Sequence, residues 1–235
     1  PCTYDQMYFV HDTLPLKLTM AHNKGTMLTM STLKKSESEF HHGDLRAALV
    51  TAGLKHVQKH GLNSLGLRQL ALTTGVSPTA VYRHFADLEH LKAAVAKASR
   101  EVLGTMMLDA LNSAPKTQSV KGAISRFLAM GGAYIDFGIK QSNLYEIAFI
   151  CFDSPELAPD SPSPWELLMD SLAELNDLGC LSDQNLKTAP MIAWSLVHGF
   201  AGLAAQGATG NPKETLASKS EVLAAALKSL DIQAS

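Results

Sequence analysis

Cysteine and aromatic residues are scarce in this sequence of 235 residues, and their scarcity excludes several kinds of protein. The three cysteines, Cys2, Cys151 and Cys180, are an odd number and form no CxxC pair, which argues against a disulfide scaffold and a cysteine zinc site. Aromatic residues make up only 6%, and the strand formers Val, Ile, Tyr and Thr are sparse beside Ala and Leu. This composition predicts an all-α fold in a reducing cytoplasm.

Net charge is also low, but the charges are unevenly distributed along the chain. The formal charge is −2, from 20 basic and 22 acidic residues. Residues 41–92 hold six basic and three acidic residues together with six of the nine histidines, whereas residues 93–235 hold ten basic and fifteen acidic residues. A mildly basic segment beside an acidic body suggests a polyanionic partner at one end of the molecule.

Targeting and membrane signals are weak in this sequence. The first residues lack the basic and apolar regions of a signal peptide, and residues 1–40 show no sustained periodicity, so we predict a flexible extension. Residues 188–212 contain no Asp, Glu, Lys or Arg, but Ser195, His198 and Gln206 interrupt the apolar run. We therefore expect a helix buried in a bundle or a dimer, and no membrane span.

Apolar periodicity and capping residues predict about nine helices and no strand. Residues 153–164 contain four prolines and three acids, which indicates a loop that serves as a lid or as a plain linker. The predicted helices are Gly43–His60, Leu67–Thr74, Pro78–Phe85, a fourth capped by Asp87 and running to Asn112, Lys116–Lys140, Ser142–Phe152, Trp165–Leu178, Gln184–Gln206 and Pro212–Ile232.

The segment from Gly61 to Leu91 carries the functional signal of the sequence. Two short helices are joined at Gly75, where a positive φ is needed, and the apolar residues Val76, Val81 and Phe85 point into one small core. The second of these helices therefore exposes its opposite side and its N-terminus. This arrangement is that of a helix-turn-helix, whose second helix enters the DNA major groove. The residues predicted on the exposed side are Ser77, Pro78, Thr79, Tyr82 and Arg83.

The same segment resembles the TetR family of bacterial transcriptional regulators. The resemblance rests on Gly61, Leu70-Ala71, Gly75-Val76-Ser77, the run from Val81 to Phe85, and Leu91. It implies a helix-turn-helix DNA-binding domain over 41–92 and a helical ligand-binding and dimerisation domain over 93–235. The run Trp194 to Gly199 also resembles the Trp…His-Gly signature of one subgroup of the family.

The resemblance also implies roles for individual residues. Tyr82 and His84 would hold DNA phosphates, Pro78 and Thr79 would face base edges, and Arg68 would contact a base or a phosphate. Two positions depart from the family pattern. Gly66 stands where a Ser or Thr usually caps the second helix, and Leu88 stands where a Lys usually contacts a phosphate, so we expect weaker DNA binding by the same mode.

The body of the protein is expected to hold an apolar cavity between helices, where a small-molecule effector binds. Met106, Met107 and Met130 would add adaptable surface. Each aromatic candidate is individually more often an ordinary core residue, and His198 is either a hydrogen-bonded core or interface histidine or a polar group of the pocket. The candidate pocket residues are Phe127, Tyr134, Phe137, Tyr145, Phe149, Phe152, Trp165, Met169, Trp194 and His198.

The last two helices are the predicted dimer interface. Small residues recur at helical spacing in the first of them and permit the close approach of a partner helix, so that two helices from each chain would form a four-helix bundle. The predicted interface residues are Ser195, Gly199, Gly202 and Ala205 in the first helix, and Leu223 and Leu227 in the second.

These patterns together predict a ligand-responsive homodimer that represses transcription from a palindromic double-stranded DNA operator and is released by a small apolar effector. The alternative is a helix-turn-helix regulator that a protein partner controls. An enzyme is not expected, since the body shows no paired acid–base or nucleophile constellation, and no cofactor is expected. His56 and His60 have the i, i+4 spacing of a metal pair but no third ligand, so we predict no metal site.

Overall fold

The computed structural model describes residues 42–150 and 163–232, and every regular element in these ranges is helical. The all-α prediction is therefore confirmed. The predicted extension 1–40, Phe152 and most of the predicted loop lie outside the described residues. The helices are α1 (His42–His60), a 3-10 turn (Leu62–Ser64), α2 (Leu67–Thr74), α3 (Pro78–Tyr82), α4 (Leu88–Ser113), α5 (Val120–Lys140), α6 (Ser142–Ala148), α7 (Pro164–Asp177), α8 (Asp183–Leu186), α9 (Ala189–Ala205) and α10 (Pro212–Ser229).

The first three helices form a small head whose turns are set by two glycines. Gly75 adopts the left-handed conformation with a φ of 69° and a ψ of 24°, as the sequence predicted. Gly61 also has a positive φ of 78°, but its ψ of 166° is extended, so it is not a left-handed helical cap. The Gly61 N–H still donates to the Val57 carbonyl at 2.8 Å. The Gly61 amide is therefore satisfied where the chain leaves α1.

Helix α4 connects the head to the body. The Asp87 side chain accepts a hydrogen bond from the His90 N–H at 2.9 Å, which confirms the predicted cap. The helix runs for 26 residues and packs against α1 of the head and against α5, α6 and α7 of the body. The predicted domain boundary between residues 92 and 93 falls inside α4, so the two predicted domains share one continuous helix. The boundary itself stays a prediction.

Helix α5 lies at the centre of the body and packs against α4, α7, α9 and α10. It approaches α9 closely at Gly138, where an added Cβ would lie 2.8 Å from the Cβ of Ala201. A clamp by Arg126 fixes the start of this helix. The guanidinium donates to both carboxylate oxygens of Glu174 on α7 and to the carbonyls of Pro115 and Thr117. The apolar core is thus continuous from the head to the last helix.

Several predicted helix ends are wrong, because capping residues decide where a helix begins. The third helix ends at Tyr82 rather than Phe85, although the Phe85 N–H still donates to the Val81 carbonyl at 3.0 Å. The fifth begins at Val120 rather than Lys116, since Ser119 caps it. The sixth ends at Ala148 and the last at Ser229, earlier than predicted.

Two proline positions also differ from the prediction. Pro164 belongs to the first turn of α7 rather than to the preceding loop, because Ser163 and Glu166 form a capping box around it. The single helix predicted over Gln184–Gln206 is two helices, α8 and α9. Pro190 lies in the first turn of α9, where it has no N–H to donate to residue 186. This division accounts for the tenth helix of the described chain.

The uncharged stretch 188–212 contains the whole of α9 and the turn that follows. No helix in the described ranges combines the length and the apolar character needed to cross a membrane. In the single chain this helix is buried on one side only, because Met191, Ser195, Gly199 and Leu203 are exposed along the other, and its burial in a dimer stays a prediction. The helix therefore buries one side in the body and presents the other to solvent.

Candidate DNA-binding surface and ligand cavity

The turn between α2 and α3 presents α3 on the outside of the head. The Ser77 side chain accepts a hydrogen bond from the Ala80 N–H at 3.2 Å and caps α3, and Pro78 follows at the first helical position. Val81 and Phe85 are buried in the core of the head, and Val76 is partly buried against it. The core positions predicted from the sequence are therefore confirmed. The opposite side of α3 is left for a partner.

The predicted DNA contacts lie on this open side. Tyr82 is 50% exposed, although tyrosine usually buries much of its ring. His84, which follows the end of α3, is half-buried. The fully exposed members of the predicted set are Arg68 on α2, Ser77, Pro78 and Thr79 at the start of α3, and Arg83 at its end. Short polar, aromatic and basic groups therefore share one surface, which suits the major groove and its phosphates.

The two departures from the family pattern have clear local consequences. Gly66 is the residue before α2, and no side chain caps that helix. Leu88 packs against the core, so the position where the family usually has a Lys supplies no positive charge. Beside it, hydrogen bonds from the side chain and the backbone of His90 hold the pKa of Asp87 below its usual value. The start of α4 is therefore acidic, which disfavours a phosphate there.

Arg46 is a basic residue of the head that the sequence did not single out. Its guanidinium carbon lies 5.2 Å from the centre of the Phe85 ring, in a cation–π arrangement beside the end of α3. From the sequence, only its positive charge could have identified Arg46 as a candidate, because its contact with Phe85 joins two distant parts of the chain. It places one more cation next to the predicted DNA contacts.

The described part of the body contains an apolar cavity between α4, α5, α7, α9 and α10. The space between the lining side chains amounts to about 510 Å³, with the open solvent at its mouth included. None of the described residues that line it carries a charge. The lining residues are Met107, Phe127, Met130, Gly131, Tyr134, Pro164, Trp165, Leu168, Ala193, Trp194, Val197, Leu223 and Ala226.

Four of the predicted pocket residues line this cavity: Phe127, Tyr134, Trp165 and Trp194. Trp165 and Trp194 meet edge to face, with ring centres 6.2 Å apart.

The other predicted pocket residues lie elsewhere in the body. Phe137 is fully buried in the core, and Met169 is 39% exposed on the outer side of α7. Tyr145, Phe149 and His198 are in contact with Tyr134 but stand behind the cavity wall. The aliphatic lining was missed because such residues have the same pattern as ordinary core residues.

Behind the wall, His198 is held by two tyrosines. Its Nδ1 lies 2.8 Å from the Tyr134 hydroxyl and 3.0 Å from the Tyr145 hydroxyl, and the Tyr145 hydroxyl also reaches the His198 carbonyl at 2.8 Å. The Trp194 indole N–H donates to the Tyr134 hydroxyl at 3.2 Å. Burial lowers the pKa of His198 and raises the pKa of Tyr145, so both are neutral near pH 7.

Three charged side chains of α5 and α10 form one ion-pair group. The Lys219 ammonium lies 2.5 Å from the Asp136 carboxylate, which also pairs with Lys140 at 3.1 Å. Burial by itself would raise the pKa of Asp136, but the hydrogen bonds from Lys219 and Lys140 hold it below the usual value. The Asp136 carboxylate is therefore paired and presents no free negative charge.

Comparisons with known proteins show similarity to transcriptional regulators. A model described as the tetracyclin repressor-like C-terminal domain matches residues 127–227. The uncharacterized HTH-type transcriptional regulator YobS of Bacillus subtilis (strain 168) is 26% identical over 172 residues, which cover 73% of this chain and 85% of that protein. Residues 127–227 are thus similar to the C-terminal domain of tetracyclin repressor-like proteins, and most of the chain is similar to a helix-turn-helix transcriptional regulator. Trp194 to Gly199 lie within the range of the family model, although membership of the Trp…His-Gly subgroup stays a prediction.

Solved structures of similar proteins agree with the TetR fold. A protein of unknown function from Rhodococcus sp. RHA1 is 27% identical with a TM-score of 0.61, and the match covers 80% of this chain and 98% of that one. RolR, solved in complex with resorcinol, is 15% identical with a TM-score of 0.56 over 82% of this chain and 90% of its own. The second likeness shows the fold alone.

The predicted dimer residues on the last two helices lie in different environments. Ser195 and Gly199 are exposed on α9, and a Cβ added at Gly199 would meet nothing within 4 Å. Gly202 instead faces the Tyr145 hydroxyl. Ala205 and Leu227 are partly buried against the core, and Leu223 lines the cavity. We call the exposed stripe Met191, Ser195, Gly199, Leu203 and, on α10, Leu216 the α9–α10 face.

The histidine pair of α1 has a structural contact. The Nε2 atom of His56 lies 2.9 Å from the Ser64 hydroxyl and 3.1 Å from its carbonyl, which fixes the 3-10 turn to α1. The rings of His56 and His60 are 5.0 Å apart. Within the described ranges, no group of three or more His, Cys, Asp or Glu side chains is arranged to hold a metal ion.

Proposed function

We propose that this protein is a TetR-family regulator, a homodimeric repressor that leaves a palindromic operator when a small, uncharged, mainly apolar molecule enters the cavity. The single observation that carries the proposal is the joining of two sites by one helix. Met107 of α4 lines the cavity, and the N-terminal end of the same helix packs on α1 of the head. A ligand that prefers one position of α4 therefore changes the position of the head.

The chemistry of the cavity supports an uncharged effector. A charged group in such an apolar site would lose its hydration without gaining a partner, which costs several kcal/mol. Met107 and Met130 have flexible side chains that adapt to ligands of different shape. The resorcinol complex of RolR shows an aromatic ligand with two hydroxyl groups on a protein of the same fold. For this chain we expect a molecule of similar or greater apolar character.

The α9–α10 face supports the dimer. It is uncharged along α9 and lacks a large side chain at Gly199, so a second copy of the helix could pack closely against it. A two-fold dimer would present two α3 helices to successive major grooves, about 34 Å apart, and would therefore read a palindrome.

Selection from a genomic pool tests the proposal. The full-length protein is mixed with DNA fragments from its source at low and at physiological salt, and the bound DNA is sequenced. We expect enrichment of one palindrome, with binding that weakens as salt is raised. An uncharged compound should then release that DNA and shift the fluorescence of Trp165 and Trp194. Binding without any enriched sequence would contradict the proposal, and an operator released only by a second protein would favour control by a protein partner.

A further inference from the structure

In the proposed function the Trp…His-Gly run of α9 contributes only Trp194, as a wall residue of the cavity, yet the structure also gives His198 a specific place. Trp194 lines the cavity and donates to the Tyr134 hydroxyl, and that hydroxyl in turn lies 2.8 Å from His198 Nδ1. His198 is in contact with Tyr145 through both its ring and its carbonyl. Four side chains from α5, α6 and α9 therefore form one hydrogen-bonded chain that begins at the cavity wall and ends on α6.

Aromatic packing keeps this chain together. The His198 ring lies 4.7 Å from the Phe149 ring, edge to face, and 5.3 Å from the Trp194 ring. The Tyr145 and Phe149 rings are 5.2 Å apart. Tyr145 belongs to α6 and Phe149 directly follows that helix, so the His198 ring packs against two aromatic side chains that are fixed to α6. A movement of His198 is therefore transmitted to α6 by both hydrogen bonds and ring contacts.

The other end of α6 is bonded to the head. The Asn143 side-chain amide donates to the Gln58 carbonyl near the end of α1 at 3.0 Å, and the Gln58 amide donates to Gln141 at 2.7 Å. A second pair of bonds joins α6 to α4, where Ser99 donates to the Leu144 carbonyl at 2.7 Å and Arg100 donates to the Ala148 carbonyl at 2.8 Å. Helix α6 is thus bonded to the hydrogen-bonded chain behind the cavity, to α1 of the head, and to α4, which connects the head to the body.

We propose that Trp194 and His198 are positioning residues of a relay that passes cavity occupancy through Tyr134 and Tyr145 to α6, and through the bonds of Asn143 and Gln58 to α1. This inference rests on the proposed function, because it describes how the same cavity acts on the head. A ligand that moves the Trp194 indole changes the hydrogen bond to Tyr134. Both hydroxyls lie within hydrogen-bonding distance of the same ring nitrogen of His198, and Tyr145 also donates its proton to the His198 carbonyl, so a displacement of His198 alters both contacts.

Tyrosine-to-phenylalanine variants test the relay without any ligand. Tyr134→Phe and Tyr145→Phe each keep the ring and remove one hydroxyl of the chain. Amide hydrogen exchange in the full-length protein should rise in α6 and in the last turn of α1, Val57–His60, by about threefold or more in either variant. The double variant should exchange no faster than the faster single variant, because both changes break the same chain.

Tyr82→Phe is the matched control, since it removes a tyrosine hydroxyl on the DNA-binding surface and away from the relay. We expect unchanged exchange in α6 and in Val57–His60 for this variant. The relay is overturned if Tyr134→Phe and Tyr145→Phe also leave the last turn of α1 unchanged, or if their effects add in the double variant.

A probe separates failure of the relay from failure of the proposed function. The probe is 1-naphthol, an uncharged aromatic compound, and its binding is followed through Trp165 and Trp194, which are the only tryptophans of the sequence. In the wild-type protein, saturation should change exchange in Val57–His60, whereas Tyr145→Phe should bind with a Kd within about threefold and show no such change. Equal changes in both proteins would overturn the relay. Absence of 1-naphthol binding would count against the proposed effector class, and the ligand-free variants would still decide the relay.

Discussion

At the scale of single residues, the proposed DNA-binding surface includes Tyr82. Its ring is held on α3 by the burial of Val81, the neighbouring residue, while its own side chain is 50% exposed. An exposed aromatic hydroxyl at the end of a recognition helix is placed to donate to a DNA phosphate, and such bonds to charged groups are the strong ones.

Tyr82→Ala should weaken binding to the selected palindrome by roughly tenfold and lower the slope of log affinity against log salt by less than about one unit, since a neutral donor is lost rather than a cation. Tyr82 lies on the head and outside the α9–α10 face, so the dimer should persist. Fluorescence anisotropy of labelled DNA gives the affinity, and sedimentation gives the mass. A monomeric Tyr82→Ala protein, or one with unchanged affinity, would contradict the assigned role.

His198 is the residue whose ionisation should affect stability. Burial lowers its pKa from the ordinary value of 6.5, so the unfolded chain takes up a proton before the folded chain does. The free energy of unfolding should therefore fall as the pH drops below 6.5, and it should be independent of this residue above about pH 7.5.

Urea unfolding between about pH 5 and pH 8 checks this expectation. In His198→Gln, which has no titrating group, the slope of stability against pH should be smaller below pH 6.5. The amide oxygen of the new side chain offers an acceptor to the Tyr134 hydroxyl, which helps the variant to fold. Identical slopes in the two proteins would mean that His198 ionises equally in the folded and unfolded states.

At the scale of helices, close approach between α5 and α9 sets the geometry behind the cavity. Gly138 lets the backbone of α9 come near enough that an added Cβ would lie 2.8 Å from the Ala201 Cβ and 3.0 Å from its carbonyl oxygen. A side chain there would have to push two helices apart, since neither atom belongs to a flexible end.

Gly138→Ala should therefore destabilise the protein by about 1–3 kcal/mol, in spite of the better helix propensity of alanine. Gly132→Ala is the matched control on the same helix, because its nearest neighbour is the flexible Lys219 side chain at 3.4 Å. We expect the control to be neutral or more stable by up to about 1 kcal/mol. Urea unfolding at one protein concentration compares them, and equal stability would show that α5 and α9 separate without cost.

Local rules predicted the elements of the head better than those of the body. Gly75, Ser77 and the pair Val81 and Phe85 act through their own turn or helix, so sequence spacing was enough to place them. The capping box at Ser163 and the helix break at Pro190 are also local signals, but the apolar periodicity around them favours different helix bounds. Both are short signals next to long apolar helices.

The cavity could not be predicted residue by residue. Leu223 and Leu227 lie one turn apart on α10, yet the first lines the cavity and the second packs in the core. Nothing in their local sequence separates them, because the difference depends on how α10 meets α5. The same holds for His198, whose partners on α5 and α6 are 64 and 53 residues away in the sequence.

At the scale of the whole molecule, the α9–α10 face is the surface proposed to join two chains. Leu203 is 52% exposed at the end of this stripe, and Met169, 39% exposed on α7, is a comparable apolar side chain outside it. Two exposed apolar residues thus allow the interface to be distinguished from the rest of the surface.

Leu203→Glu should convert the dimer to a monomer at micromolar concentration, because two new carboxylates would be buried near the two-fold axis without partners. Met169→Glu should remain a dimer. Sedimentation velocity measures both masses. A dimeric Leu203→Glu protein together with a monomeric Met169→Glu protein would contradict this interface and would show that the chains associate through α7.

The most direct test of ligand-controlled repression follows the cavity and the DNA in a single titration. Labelled palindromic DNA reports release through its anisotropy, and Trp165 and Trp194 report occupation of the cavity through their emission. An uncharged effector should change both signals over the same concentration range, since cavity occupation and DNA release are coupled. DNA that stays bound while the tryptophan signal saturates, or that leaves without any change at the tryptophans, would contradict control of the operator through this cavity.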